Sequence, residues 1–362
     1  MLIQSPKPDS GSKRILDPTS LTCAAARIYR DLPNMLRLVR PTDSEVRGGL
    51  ERALSTAGLK IGKQMRRRPS AYRTSFPLEE LDLTLEDGSE LRLIFKQLAW
   101  AALDEEARLA KPEFLHDPLR EPAVYASVLA PHRLGPRYYG AAIDPAAERY
   151  WLFVERVEGR ELYQVGDLKL WQAAARWLGG MHASLAGGLE RHAARPRLIE
   201  YDEAYFRRWI ERALDLAAGR REPRMALERI AARYDRVIEG LLDLPKTFVH
   251  GEFYASNVLV AGGGRTPRIC PVDWEMAAHG PGLVDLAALV SGGWGEEDRK
   301  AIVSAYRRGA VGISFSREDL DLARLHLAVQ WLGWAPPSWT PPEGQRHDWL
   351  GEALALAEGL GL

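Results

Sequence analysis

Between Asp43 and Gly58 the apolar residues Val46, Leu50, Ala53, Leu54 and Ala57 recur three to four apart behind a polar start, which predicts an amphipathic helix. The period then changes to two. Leu81, Leu83 and Leu85 alternate with Asp82, Thr84 and Glu86, Asp87-Gly88 supplies a turn, and Leu91 to Leu98 returns, so a β-hairpin is expected. Glu121 to Ala130 reads as a short helix with Pro122 in its first turn, followed by strands around Pro136–Ile143 and Arg149–Val157 joined through Asp144-Pro145. Beyond Gly159 the texture is helical. Leu170, Trp171, Ala174, Trp177, Leu178, Met181 and Leu185 line one face of a helix that Asp167 can cap. Two further helices are predicted over about 202–217 and 222–243, then a strand-like stretch KTFVHGEFYASNVLV, then mostly helix to Leu362. The Pro-Trp stretch Ala335–Pro342 is expected to pack between helices, and no internal repeat of fixed period is found.

These elements describe an α+β chain: a tail over 1–40, rich in Pro, Ser and Lys over its first 20 or so residues; a β-rich unit over 41–157; and a larger helical unit over 158–362. A length of 362 residues that are 46% hydrophobic suits two or three cores at about 150 residues per domain. Forty-nine cations balance 49 anions, so no whole-molecule field draws the protein to nucleic acid or to an anionic membrane, and any phosphate site must be local. Cys23 and Cys270 lack partners at metal-ligand spacing, which excludes a zinc finger or disulfide framework. With no secretory signal pattern and no apolar run approaching eighteen residues, a soluble cytoplasmic protein is expected; the oligomeric state is left open. Only nine of the cations are lysines, so each lysine is informative.

The segment His250-Gly-Glu252-Phe-Tyr-Ala-Ser-Asn257 precedes VLVA, a Gly262-Gly263-Gly264 turn and RICPVDWE. Folded back about a centre near position 265, the strands bring Asn257 and Asp273 together at the open end. A carboxamide oxygen and a carboxylate suit Mg²⁺, a hard cation that takes a few protein oxygens and shares the rest with water and phosphate. Glu252, five residues before Asn257, matches the acid-x4-Asn spacing of kinase catalytic loops, in which the acid orients the acceptor hydroxyl and takes its proton. Taken singly, His250 reads as a core histidine, Glu252 as a loop charge and Asn257 as a turn residue; the whole constellation points to phosphoryl transfer. Lys96 gives independent support, lying inside the strand Leu91–Leu98 on the face of Ile94 and Leu98. A lysine there needs an anion, and a kinase-like site uses it on the nucleotide phosphates, steadied by an acid from the next helix, for which Glu121 is the candidate.

In LIFKQL around Lys96, Glu121 before VYASVL, FVERVEG at 153–159, HGEFYASN at 250–257, PVDWE at 271–275 and GPGLVDLA at 280–287, the sequence resembles the aminoglycoside phosphotransferase and choline kinase-like family of small-molecule kinases. The resemblance covers roughly residues 60–295 and implies a two-lobed protein-kinase-like fold with ATP in the cleft. It implies Glu252 as the base, Asn257 and Asp273 as Mg²⁺ ligands, and Lys96 with Glu121 as the pair positioning the phosphates. Phe153 to Val157, with Glu155 and Val157 at its exit, becomes the hinge whose backbone meets adenine. Asp285 and His250 become supports of the catalytic loop, and Glu275 assists beside the metal ligand. The implied activity is ATP- and Mg²⁺-dependent phosphorylation of a small-molecule hydroxyl, on an aminoglycoside-, amino alcohol- or sugar-like acceptor.

Two departures stand out. The family usually has His-Gly-Asp where this chain has His-Gly-Glu, one methylene longer. The phosphate-loop region Met65–Phe76, MRRRPSAYRTSF, contains no glycine, so phosphates would meet Ser70, Thr74 or Ser75 and backbone amides, with Arg73 nearby. These departures motivate the alternative of a non-catalytic nucleotide-binding pseudokinase acting as a regulatory or scaffold module. Other motifs fail: Gly58-Leu-Lys-Ile-Gly62-Lys63 is one residue short of a P-loop and lacks its Ser/Thr, and His250-x-Glu252 lacks the Pro-Cys-x-x-Cys of zinc deaminases. The Arg66–Arg68 run is expected to be a solvated edge.

Overall fold

The computed structural model describes residues 40–72, 75–187, 197–262, 267–334 and 347–362. Most of the tail, Arg73, Thr74, Gly263-Gly264 and the Pro-Trp stretch fall outside the described residues. The two-residue period builds an antiparallel five-stranded sheet in the order β1-β2-β3-β5-β4. Its strands are β1 Ile61–Pro69, β2 Leu78–Leu85, β3 Glu90–Gln97, β4 Tyr138–Asp144 and β5 Arg149–Glu155. Leu81 opposes Leu93 and Leu83 opposes Leu91 across the expected hairpin. One face of the sheet, with Phe95, Trp151 and Phe153, is buried against Val46, Leu50 and Leu54 of the helix Asp43–Ser55. Thr42 and Glu45 cap that helix reciprocally, each side chain accepting the other's backbone N–H.

β1 differs from the expectation, because three successive arginines carry no alternation. Its Arg67 is buried, with Nε and Nη2 donating to the two oxygens of Glu79 at 2.9 and 3.0 Å and Nη1 donating to Asp43 and to the Pro41 carbonyl. Ion pairing fastens this edge strand where apolar side chains would usually do so, and the run is not simply a solvated edge. A second unforeseen element is the helix Glu105–Ala110, capped by Asp104. The predicted 121–130 helix runs as Arg120–Val124, a π-helical Tyr125–Leu129 and Ala130–His132.

The rest of the chain is mainly helical, as the two-lobed reading requires. Asp167 accepts the Lys169 N–H and starts the helix Leu168–Leu185, which buries Trp171, Ala174, Leu178, Met181 and Leu185 along the expected stripe. The pattern expected as one helix over 222–243 is two, Arg221–Ala231 and Tyr234–Leu242. Ile230 to Tyr234 keeps helical spacing across the break and neither Gly nor Pro marks it, so periodicity could not show it. Two three-stranded sheets carry the chemistry-bearing segments. In one, Val258–Ala261 pairs with Arg268–Pro271 and with Gly159–Glu161, which lies just past the sheet-to-helix crossover. In the other, Ala278–Pro281 lies between Ile199–Glu200 and Lys246–Val249. Among the described residues no helix is long and apolar enough to cross a membrane.

Leu168–Leu185 packs against Glu296–Gly309 at a distance only glycine permits. A Cβ on Gly179 would lie 2.3 Å from the Tyr306 carbonyl oxygen, and one on Gly309 would lie 2.0 Å from that of Arg176. Gly309→Ala must therefore push two buried helices apart. A loss of about 1–3 kcal/mol is expected, read as a lower denaturant midpoint with an unchanged slope.

Candidate active site

On β3, alternation turns Phe95 into the core beneath the sheet and Ile94 and Lys96 into the cleft between sheet and helical region. Lys96 is 4% exposed, so its ammonium requires partners. It has two, Glu121 Oε2 at 2.7 Å and Asp273 Oδ1 at 2.5 Å, the latter 177 residues away. Glu121 comes from the first turn of Arg120–Val124 and also accepts the Trp274 N–H through Oε1 at 3.1 Å. Burial pushes its carboxyl up to about 7 against the pull of Lys96. Asp273 is partly buried, and the Lys96 ammonium beside it holds it below the usual carboxylate range. The lysine stays protonated because the two carboxylates outweigh its own desolvation.

Asp273 has φ of 66°, left-handed backbone that costs a non-glycine residue about 1–3 kcal/mol. The ion pair with Lys96 offsets that strain. Pro271 faces Val258 and the Val272 N–H donates to the Asn257 carbonyl, so Asn257 sits opposite the residue before Asp273, one position from the symmetric pairing expected. Asn257 Nδ2 donates to the Glu252 carbonyl at 3.0 Å, an orientation that leaves its Oδ1 as the free acceptor. The two side chains thus offer hard oxygen ligands. Among the described residues no group of three or more His, Cys, Asp or Glu is placed to hold a metal ion. A site with few protein oxygens suits Mg²⁺ sharing its other positions with phosphate and water.

The segment His250–Glu252 is fixed from behind. Asp285, fully buried in Leu283–Val290, accepts the His250 N–H at 2.7 Å and the Gly251 N–H at 2.8 Å, and lies 3.3 Å from His182 Nε2. Gly251 has φ of 84°, and a Cβ there would lie 2.2 Å from the Met276 carbonyl oxygen, so glycine is required on two counts. His250 Nδ1 accepts the Glu252 N–H while Nε2 meets the Val272 carbonyl, the pattern of a neutral imidazole, and burial lowers its pKa accordingly. Glu252 is 4% exposed and faces the cleft with no hydrogen bond or ion pair to its carboxylate among the described residues. Burial, then Glu275 and Asp273, push it well above the usual carboxylate range.

The cleft encloses about 520 Å³, ample for a nucleotide and a small acceptor. Ser70, Ser75, Glu155 and Val157 all line it. The Ser70 hydroxyl accepts the Tyr72 N–H, and the Ser75 carbonyl accepts the Asp104 N–H. Glu155's carboxylate binds Arg268 and the Arg137 N–H, and its own N–H donates to the Arg137 carbonyl, so only its backbone carbonyl is left for a ligand. Trp331 and Trp334 line the helical side. Sequence reasoning missed Lys111, a second cleft lysine, 6% exposed and ion-paired with Glu275. The scarcity of lysines, which singled out Lys96, was the available signal.

Residues 107–326, more than half of the chain, match the model of a family described as the phosphotransferase enzyme family. Compared with curated proteins, the sequence matches none. Among solved structures it is similar to choline kinase LicA from Streptococcus pneumoniae at 14% identity, covering 84% of this chain and 95% of that one, with a TM-score of 0.53. Macrolide 2'-phosphotransferase MphH from Brachybacterium faecium aligns at 18% identity over 78% and 90% of the two chains, with a TM-score of 0.51. A choline/ethanolamine kinase family protein from Mesorhizobium loti aligns at 15% identity over 88% and 93%, also with a TM-score of 0.51. At such identities the likeness establishes the fold.

Replacing Asp285 by Asn puts an NH₂ where an acceptor is needed and strands at least one buried donor among His250 N, Gly251 N and His182. A loss of about 1–3 kcal/mol is expected, measured by chemical denaturation, whereas an exposed control such as Asp298→Asn should change stability by less than about 0.5 kcal/mol.

Proposed function

The chain belongs to the phosphotransferase enzyme family, and from that premise we propose that it transfers the terminal phosphoryl group of ATP to a hydroxyl of a small molecule. The observation that carries this reading is the Lys96 bridge between Glu121 and Asp273, on the wall of a cleft that also holds Glu252 and Asn257. Phosphoryl transfer needs positioning and charge neutralisation more than covalent chemistry, and these groups supply both. Asn257 and Asp273 would hold Mg²⁺, which when bound neutralises phosphate charge. Lys96, kept in place by Glu121, binds oxygens of the inner phosphates. The backbone around Glu155 and Val157 receives adenine, and the Ser70 and Ser75 hydroxyls meet phosphate in a loop without glycine. Glu252 orients the acceptor hydroxyl and takes its proton as the new O–P bond forms; the bond to the β–γ bridging oxygen breaks, and ADP leaves.

The extra methylene of Glu252 is compatible with this role, because among the described residues nothing binds its carboxylate and the residue lines the cleft. Its raised pKa makes it a better proton acceptor than an ordinary carboxylate. Glu252 and Glu275, together with Trp331 and Trp334, favour an acceptor that carries amino groups, an aminoglycoside or amino alcohol over a plain sugar.

The test is an ADP-release screen over aminoglycosides, amino alcohols, homoserine and sugars with Mg²⁺, using Asp273→Ala as the blank. Turnover on at least one acceptor, lost in Asp273→Ala and on chelation of Mg²⁺, is expected. Tight Mg²⁺–ATP binding with no transfer, and transfer gained by Glu252→Asp, would instead establish the pseudokinase reading.

The base also sets a pH dependence. Glu252 acts ionised, and its folded-state pKa is raised, so kcat/KM should fall on acidification with a midpoint above the roughly 4.3 of a free glutamate. Glu252→Gln should lower kcat by about 10²–10⁴-fold and abolish that acid limb. An unshifted limb in the variant would assign the proton transfer elsewhere.

A further inference from the structure

Lys111 is a buried titratable group of the cleft that this mechanism leaves unused. It comes directly after the helix Glu105–Ala110, and its Nζ pairs with Glu275, two residues beyond Asp273. An ammonium has three donors, and Lys111 has a single hydrogen-bond partner among the described residues, so two donors remain in a residue that lines the cleft. Its Nζ lies 5.1 Å from the centre of the Phe76 ring, and Lys96 lies 5.5 Å from the same ring. Phe76 belongs to the glycine-free loop, and Asp104, at the head of the Lys111 helix, donates its N–H to Ser75 of that loop. The two lysines therefore flank one aromatic side chain at the place where a bare glycine turn would otherwise present amides to phosphate. They are not equivalent. Lys96 is committed to Glu121 and Asp273, whereas Lys111 is held by Glu275 alone among the described residues.

We propose that Lys111 is a second phosphate-binding cation, contacting the terminal phosphoryl group of the nucleotide. In this role it replaces the amides that a glycine-rich loop would direct at that group, and Glu275 holds it in place until the nucleotide arrives. The inference rests on the reading that the cleft binds ATP.

Equilibrium binding of the non-hydrolysable triphosphate AMP-PNP and of ADP, each with Mg²⁺, tests it in wild type, Lys111→Met, Lys111→Arg and the double variant Lys111→Met with Glu275→Gln. The double variant removes the stranded carboxylate that would threaten folding in Lys111→Met. Loss of a charge-assisted contact to the γ-phosphate should weaken AMP-PNP about tenfold or more. ADP binding should change less than about twofold, with partial recovery in Lys111→Arg. Equal weakening of both nucleotides, or no weakening of either while Asp273→Ala still abolishes transfer, would make Lys111 a structural tether and overturn the inference with the function intact. A folded wild-type protein that binds neither nucleotide would overturn both.

Discussion

The arrangement of the cleft depends on a single buried ammonium. Lys96 on the sheet, Glu121 on the helix Arg120–Val124 and Asp273 on the hairpin of the helical region meet there, joining segments up to 177 residues apart. Removing one partner of such a buried pair costs about 3–5 kcal/mol, because the remaining charge is stranded without water. The bridge therefore ties the relative placement of the three segments to the protonation of one side chain. It also explains why Asp273 can persist in left-handed backbone: the same ion pair that holds the carboxylate ionised offsets the local strain.

Behind the loop the logic is polar as well. Asp285 ties down the first two residues of His-Gly-Glu, His182 joins Asp285 to the Tyr306 hydroxyl at 2.8 Å, and the Thr247 hydroxyl donates to the His182 carbonyl. Four separate elements of the helical region thereby converge on two backbone amides. Such a network is demanding, since each buried member must be satisfied. Fully satisfied, it gives a loop of few residues the rigidity that positioning catalysis requires. Glu252 is the exception in this neighbourhood, buried with no partner for its carboxylate among the described residues, which is the condition of a group that works on a ligand.

Features set by short-range periodicity and local chemistry were legible in the amino-acid order. The leucine alternation of the hairpin, the stripe of Leu168–Leu185 and, to within one position, the fold-back that brings Asn257 towards Asp273 could all be read because each sets the next residue's environment. Arg67 could not, since its burial is supplied by Glu79 and Asp43 on other elements, and an arginine run carries no face. The break between Ile230 and Tyr234 was hidden because the apolar spacing continues through it. Lys111 and Glu275 are separated by 164 residues, and only the packed fold shows that they neutralise each other.

Charge in the cleft constrains what can enter it. Four carboxylates, Glu121, Glu252, Asp273 and Glu275, face two ammonium groups, Lys96 and Lys111, all in surroundings of low water content. A bare polyphosphate would meet net negative potential there. Burial opposes part of it by raising the carboxyls of Glu121 and Glu252 above the usual range. The remaining excess lies on Asp273, the carboxylate held most firmly ionised. A divalent cation between Asp273 and phosphate would therefore be attracted by the very charge that repels the phosphate alone. The molecule's overall neutrality is thus compatible with a polyphosphate ligand, because the sign that matters is set within a few side chains and changes when the cation arrives.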